Sequence, residues 1–194
     1  MIIQGGTGNG YAAKVDADNR LLTRARTVSD EHVANEHGDA YAVTFSQSPT
    51  AAGDCIFYMI NSSDSKNIIV DSAVIGAHTV TADDTFYFKI NDVGTRNSGT
   101  ALTPVNLNAG SGTSADGTFE YGADLDGGAA TLNGGSTIYT YVLAGVTDLT
   151  SKVFNFDQDI ILPKNKTLTM WVGGSATGTF YVTVDFYYAE ITDA

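Results

Sequence analysis

The last long segment of the chain alternates large apolar side chains with smaller or polar ones. The apolar positions there are Phe180, Val182, Val184, Phe186 and Tyr188. Between them stand Tyr181, Thr183, Asp185 and Tyr187. Because successive side chains of a β-strand point to opposite faces, a period of two predicts a strand with one buried face. A helix of this sequence would scatter the same apolar residues around its whole circumference.

The same period, or a short apolar run, marks the rest of the chain from residue 40 onward. Alternation is clear around Tyr41–Phe45, Phe86–Ile90 and Leu168–Val172, and the last of these forms a predicted hairpin with the final strand. Further strands are predicted at 55–61, 67–77, 101–108, 117–121, 136–144 and 152–162. Loops rich in Gly, Asn, Asp and Ser separate them, and the stretch 122–136 is predicted to be a mobile surface loop.

These nine or ten strands predict an all-β protein with two packed sheets. Phe and Tyr residues, which lie mostly on the predicted strands, supply the large side chains that two inner faces need. Long connections favour a jelly-roll β-sandwich over residues 40–194. An immunoglobulin-like sandwich is less favoured because the sequence lacks the Cys…Trp…Cys spacing of that fold.

Residues 1–39 show no sustained strand pattern and are predicted to be an extended N-terminal arm with one short helix. Ser29 has the character of an N-cap and Gly38 that of a C-terminal stop, which predicts a helix near 30–37. From residue 11 to residue 28 there are four basic and two acidic residues, whereas six basic and sixteen acidic residues follow from residue 46 onward. The sequence therefore predicts a locally basic arm in front of an acidic body.

Composition and motifs argue against several classes of function. A net charge of −12 opposes binding to nucleic acid, and no apolar run approaches the ~18 residues of a membrane span. Gly6-Thr7-Gly8 fails as a dinucleotide motif because Tyr11 stands where the third glycine belongs. Asp124-Leu125-Asp126-Gly127 begins like a calcium loop but continues with Gly128 in place of a ligand. We therefore expect no cofactor, no metal and no catalytic residue, and we expect Cys55 to be a core residue.

Two aromatic side chains fall on the more polar faces of their predicted strands, namely Trp171 and Tyr187. Exposed flat rings stack against the C–H faces of sugars, so the pair forms a candidate glycan platform. The alternative interpretation is that the arm or a neighbouring subunit covers them, since exposed aromatic residues often mark an interface.

The stretch Gly-Asn-Gly-Tyr-Ala-Ala-Lys-Val-Asp-Ala-Asp-Asn-Arg-Leu at residues 8–21 resembles an arm of structural proteins of tailed bacteriophages. In that group a Gly-rich start precedes such a stretch, and an Ala-Tyr pair, here Ala40-Tyr41, then opens a β-sandwich. The layout continues with Phe-Tyr-Met-Ile-Asn at 57–61 and with residues 160–168 before a final hairpin. The resemblance lies in this layout and in the arm, and it includes no catalytic signature.

The resemblance implies a component of the virion on the outer capsid surface. Proteins of this group are capsid decoration (cement) proteins or head fibres, commonly homotrimeric jelly rolls whose arm contacts the major capsid protein. Arginines of the arm would pair with carboxylates and its aliphatic residues would serve as anchors. The candidate docking residues are Tyr11, Lys14, Arg20, Leu21, Leu22, Arg24, Arg26 and Val28.

Three hypotheses follow, and the first is favoured. The chain is a non-enzymatic decoration protein that docks on the major capsid protein and stabilises the head. Alternatively, it is a glycan-binding head-fibre or receptor-binding module, which requires Trp171 or Tyr187 in a sugar-sized groove. The third hypothesis, a glycan hydrolase or lyase, requires convergent carboxylates that the sequence does not reveal. The fold alone does not separate the three, because jelly rolls host all of them.

Overall fold

The structure is a computed structural model, and it describes residues 29–78, 83–97, 99–143, 150–174 and 178–191. Within these ranges the chain forms one helix, α1 (Asp30–His37), and eleven strands. The strands are β1 (Ala40–Gln47), β2 (Asp54–Asn61), β3 (Lys66–His78), β4 (Asp84–Ile90), β5 (Thr100–Ala101), β6 (Val105–Asn106), β7 (Gly117–Tyr121), β8 (Ser136–Leu143), β9 (Thr150–Leu162), β10 (Thr167–Gly174) and β11 (Thr179–Glu190).

The strands form two sheets, and every strand pair is antiparallel. The first sheet has the order β6-β1-β11-β3-β9, and the second has the order β5-β7-β2-β10-β4-β8. Ala40 of β1 pairs with Tyr187 of β11, and Leu168 of β10 pairs with Met59 of β2. The chain is therefore an all-β sandwich, as the period of two predicted.

The core lies between the two sheets and is rich in aromatic rings. Phe45 of the first sheet stacks on Phe57 of the second with ring centroids 5.2 Å apart. Phe86 and Phe180 meet edge to face at 4.9 Å across the same interface. Such pairs each add about 1 kcal/mol to what burial of their area contributes. The alternating residues of β11 supply one wall of this core, since Phe180, Val182, Val184, Phe186 and Tyr188 are all buried.

The helix begins and ends where its capping residues predict. The Ser29 hydroxyl accepts a hydrogen bond of 3.2 Å from the His32 backbone N–H, and Asp30 and Glu31 occupy the first turn. Gly38 adopts a left-handed conformation with φ +78°, and its N–H returns to the carbonyl groups of the last turn. Residues 30–37 are therefore helical, as predicted.

The predicted strand at 101–108 is wrong as a continuous element. The structure has two strands of two residues instead, β5 and β6, and residues 102–104 between them are not in a strand. Pro104 lies in that gap, has no backbone N–H and cannot donate to a neighbouring strand. One proline thus divides a segment whose composition otherwise favours a strand.

The prediction of a mobile surface loop at 122–136 is also wrong. Leu125 and Leu132 are 1% and 4% exposed, and they pack on the outer face of the second sheet against Cys55, Tyr58 and Trp171. The segment is tied down further by paired backbone hydrogen bonds between Val93 and Asn133. Burial of these two leucines against residues that are distant in sequence holds the loop on the outer face of the second sheet.

The helix packs on the sandwich even though it belongs to the predicted arm. Ala34 of α1 is buried with Ala40, Ile69 and Tyr187 on the outer face of the first sheet. The arm at residues 1–28 lies outside the described residues, so its extended form and the division at residue 40 stay predictions. What the structure shows is that α1 and the sandwich form one packed unit.

Candidate functional site

The predicted docking residues of the arm lie outside the described residues. Tyr11, Lys14, Arg20, Leu21 and Leu22 precede Ser29, where the described chain begins. The same holds for Arg24, Arg26 and Val28. The structure brings together other groups on the outer faces of the two sheets, and these are the candidates for function.

Trp171 is buried, so the expectation that it stands exposed as a sugar platform is wrong. Its side chain is 6% exposed and packs beneath Leu125 and Leu132. The ammonium group of Lys89 lies over the indole, 3.8 Å from the ring centroid. A cation in that position occupies the face on which a sugar would stack. The sequence placed Trp171 on the correct face of β10, but a loop covers that face.

A buried carboxylate holds the covering loop against Trp171. Asp92 is 2% exposed, and its Oδ2 accepts hydrogen bonds from Thr169 Oγ1 and from Trp171 Nε1, the latter at 2.9 Å. Its Oδ1 accepts a bond of 2.7 Å from the Gly135 backbone N–H. A buried carboxylate persists only when donors surround it, and here the donors come from two separate parts of the chain. Asp92 is therefore a structural clamp.

Tyr187 is buried as well, and its cover comes from α1. The side chain is 3% exposed and contacts Ala34 and Ile69. Burial, together with the charges of Asp30, Asp71 and Glu31, raises the pKa of Tyr187 to about 12. The interpretation as an exposed sugar platform is wrong here too, and the alternative that the arm covers the ring is the one that holds, because α1 belongs to the predicted arm and lies on Tyr187. The glycan hypothesis thus loses both residues on which it rested.

Three carboxylates meet beside the 122–136 loop, where the sequence suggested only part of a calcium motif. One oxygen each of Asp54, Asp124 and Asp126 lies within 4.8 Å of the others. Carboxylate oxygens are the ligands that Ca²⁺ prefers. Two of the three acids, however, accept hydrogen bonds from the chain: Asp54 Oδ2 from the Thr50 and Ala51 backbone N–H groups, and Asp126 Oδ1 from that of Cys55. The group anchors the loop to β2, and the absence of a metal stays a prediction.

Cys55 lies in the same layer and has the properties of a core residue. Its side chain is completely buried, and burial raises the pKa of the thiol well above its ordinary value. The charge of Asp126 acts in the same direction. A thiol with a raised pKa and no access to solvent is a poor nucleophile.

The outer face of the first sheet is open where α1 does not cover it. A groove of about 710 Å³ runs across β1, β11, β3 and β9 there, and we name it the outer groove. Its lining is mostly small or aliphatic, with one exposed tyrosine at 49%. The lining residues are Thr44, Phe45, Ser46, Val74, Gly76, His78, Ser151, Tyr181, Val182 and Thr183.

An acidic group lies between the outer groove and α1. Asp185 occupies the same face of β11 as Thr183, two residues further along, and its Oδ2 accepts a 3.0 Å hydrogen bond from Ser72 Oγ. Burial and the charges of Asp71 and Asp185 raise the pKa of Glu31, which lies in the first turn of α1. Burial and Asp185 likewise raise the pKa of Asp71. We call Glu31, Asp71 and Asp185 the acidic border.

A second open surface lies where the last strands of the two sheets meet. β9 ends the first sheet and β8 ends the second, and Tyr141 contacts Phe154 between them at 5.6 Å. Four large apolar side chains are exposed on these two strands, which we name the β8–β9 edge: Tyr139 (38%), Val142 (55%), Val153 (59%) and Ile161 (53%). Val142 pairs with Thr85 on the outer face of the second sheet, and Val153 pairs with Val74 on the outer face of the first, so exposed apolar side chains lie on both sides of this edge.

Sequence reasoning missed the acidic border, the Asp92 clamp and the carboxylate of Asp54. Their members come from distant parts of the chain, and only the fold unites them. Two signals were present: Asp92 lies two residues after a predicted strand, and Asp185 is the one charged residue between Phe180 and Tyr188.

No protein-family model matches the chain, and no curated protein matches it either. In the part of the chain that the structure describes, no helix is both long and apolar enough to cross a membrane. The functional argument therefore depends on the two open surfaces and on the resemblance of the arm.

Proposed function

We propose that the chain is a non-enzymatic structural protein of a tailed-bacteriophage virion, a decoration protein that self-associates and docks on the major capsid protein at the outer capsid surface. The observation that carries this proposal is the β8–β9 edge, where two end strands carry the exposed apolar side chains of Tyr139, Val142, Val153 and Ile161, which are available for contact with another protein. The resemblance of residues 8–21 to the arms of such proteins names the partner.

The strand order supports a jelly roll as the form of the sandwich. Leaving out the short β5 and β6 and the added β7, the sheets are β1-β11-β3-β9 and β2-β10-β4-β8. The chain crosses between the sheets at every step except from β4 to β8, which are neighbours in the second sheet. Eight strands connected in this way make the two Greek keys of a jelly roll.

Self-association is tested through the β8–β9 edge. We expect the full chain to have a solution mass near three times 20.4 kDa by light scattering after size exclusion. Val142→Lys places a charge on the edge and is expected to lower that mass to the monomer value. Val105→Lys, at a valine that is 67% exposed on β6, is the matched control and is expected to stay trimeric. A monomeric wild-type protein would contradict the trimer.

Capsid docking is tested by co-sedimentation with assembled shells of the major capsid protein from the same genome. The full chain should pellet with the shells in a saturable manner. Arg24→Glu/Arg26→Glu reverses two charges of the arm and should weaken binding at least about tenfold, since two ion pairs are lost. Lys164→Glu/Lys166→Glu makes the same charge change at two exposed residues of the sandwich and should bind like the wild type.

Two results would contradict capsid docking. One is a full chain that stays in the supernatant at every shell concentration. The other is an equal loss of binding in both double variants, because that would assign the effect to net charge and not to the arm.

A further inference from the structure

We propose that residues 20–28 of this chain bind along the outer groove of the same molecule, with their arginines on the acidic border. The inference goes beyond the proposed function because it concerns the free protein, before any capsid is present. It rests on the position at which the chain enters the described structure and on the charges at that position.

The described part of the chain begins at Ser29, near the acidic border and the outer groove. Ser29 caps α1, and Asp30 in the first turn lines a cleft together with Ile69 and Tyr187. Ile69 lies two positions from Asp71 on β3, and Tyr187 lies two positions from Asp185 on β11. Asp185 shares its face of β11 with Thr183, which lines the outer groove. The residues that precede Ser29 therefore start at the boundary between the covered and the open halves of the first sheet.

Residues 20–28 are long enough to extend from the acidic border along the outer groove. Nine extended residues span about 30 Å, and the four residues of β11 from Asp185 to Tyr181 span about 13 Å. Arg26 lies three residues before Ser29, so it reaches the acidic border with about 10 Å of chain. Under this proposal, an extended segment would bring Arg24 and Leu22 to the outer groove, whose lining is mostly small or aliphatic.

The basic residues that precede Ser29 and the acidic border carry opposite charges. In the ranges that the structure describes, five of the six lysine and arginine side chains have contacts elsewhere, and three of these are in ion pairs: Lys66 with Asp39, Arg96 with Glu120 and Lys164 with Asp64. Lys89 and Lys152 lie over Trp171 and Tyr141, and Lys166 is exposed in the turn before β10. The remaining four basic residues of the chain all precede Ser29. Three of these four residues are arginines, whose guanidinium groups carry the charge opposite to that of the three carboxylates of the acidic border.

Attachment to the same chain favours the same molecule as the binding partner. A segment joined by a few residues to its site has an effective concentration in the millimolar range, so weak contacts suffice. A second copy of the chain or the capsid protein would have to compete with that local concentration.

Paramagnetic broadening in ¹⁵N NMR spectra of the full chain tests the proposal. A nitroxide on Ala25→Cys is expected to broaden the amide signals of Thr44, Val74 and Thr183. The native Cys55 is completely buried and escapes labelling. A nitroxide on Thr137→Cys, exposed on the second sheet, is the control and should leave those three signals unchanged.

Two variants locate the contact. Thr183→Arg puts a cation into the groove and is expected to abolish the broadening, while Thr140→Arg, at an exposed residue of β8, should not. Asp71→Asn/Asp185→Asn should weaken the broadening by removing two charges, and about 1 M salt should do the same by screening them. If Thr183→Arg fails to fold, as its spectrum would show, the carboxylate variant decides.

Two outcomes overturn the proposal. Groove signals that are equally intense with the Ala25 and Thr137 labels would show that the segment does not bind there. Broadening that appears in a mixture of ¹⁵N-labelled unmodified chain and unlabelled spin-labelled chain would assign the groove to the arm of a second copy. Failure of the shell-binding experiment touches neither readout, so the two proposals fail separately.

Discussion

The indole Nε1 of Trp171 donates a hydrogen bond of 2.9 Å to a carboxylate oxygen of Asp92, 79 residues earlier in the chain. Both side chains are almost completely buried, and Thr169 and Gly135 donate to the same carboxylate. The pair joins β10 to the segment that follows β4. Trp171, although it lies on the outer face of the second sheet, is therefore part of a second, smaller hydrophobic core with Leu125 and Leu132.

Removing the carboxylate should be costly. Asp92→Ala removes the charged acceptor of three hydrogen bonds, from Thr169, Trp171 and Gly135, and a hydrogen bond to a charged group contributes about 1.5–3 kcal/mol. We expect the free energy of unfolding to fall by about 3 kcal/mol or more, as measured by urea denaturation. Asp159→Ala, at an exposed residue of β9, is the control and should change it by less than about 0.5 kcal/mol. A value for Asp92→Ala within about 1 kcal/mol of the wild type would contradict the clamp.

The 122–136 loop should depend on Leu125 in the same way. Leu125→Ala removes a side chain that is 1% exposed and leaves a cavity against Cys55 and Trp171, which costs about 3 kcal/mol. We further expect rapid proteolysis within the loop of the variant and slow proteolysis in the wild type. Leu107→Ala, at a leucine that is 42% exposed, should be close to neutral. Equal cleavage of the Leu125 variant and the wild type would show that the loop does not depend on this anchor.

Features that depend on neighbouring residues in the chain were predictable from the sequence. Period-two alternation located the strands because it is a local property of the backbone, and Ser29 and Gly38 located the helix because capping is local as well. Trp171 and Tyr187 were assigned to the correct faces of their strands. Cover by the arm was one of the two interpretations, and it holds for Tyr187, on which Ala34 packs. The cover of Trp171 by Leu125 was missed because the two residues lie far apart in sequence.

The candidate site was still less predictable. The acidic border combines one residue of α1, one of β3 and one of β11, and the order of the strands alone brings them together. A jelly-roll order was expected, but the register of individual strands was not. A bulge between Val70 and Ser72 separates Asp71 from the regular ladder of β3 and β9, and no local pattern in the sequence signals it.

We expect the C-terminal end of α1 to require glycine at residue 38. Gly38 has φ +78°, and a Cβ there would collide with the Ser111 side chain. We expect Gly38→Ala to lower the free energy of unfolding by about 2 kcal/mol, because the left-handed conformation is strained for alanine. Gly112→Ala is the matched control, since a Cβ at Gly112 meets nothing within 4 Å. Equal thermal stability of the two variants would contradict a requirement for glycine at residue 38.

Tyr187 should make the protein sensitive to alkali. Its folded-state pKa of about 12 exceeds the ordinary value of 10, so the unfolded chain loses the phenolic proton first as the pH rises. The stability that this group contributes is complete below about pH 10 and is lost between about pH 10 and 12. Tyr187→Phe should therefore show a shallower fall in thermal stability between pH 9 and 11 than the wild type.

Tyr181→Phe, at an exposed residue of β11, is the control for the alkaline measurement. It removes a phenol from the same strand without disturbing the contact between α1 and the sheet. Identical pH profiles for Tyr187→Phe and the wild type would show that the buried phenol does not determine alkaline stability.

The position of β11 has a consequence for how the protein is made. The strand lies between β1 and β3 in the first sheet, and Ala40 of β1 pairs with Tyr187 of β11. The central strand of this sheet is therefore absent until residues 179–190 have left the ribosome. Until then β1 and β3 each expose a backbone edge whose N–H and C=O groups lack their β11 partners. Pairing over such sequence separations makes folding slow, and waiting edges accept strands from other nascent chains. The consequence that we expect from this topology is exchange of β11 between neighbouring copies during folding.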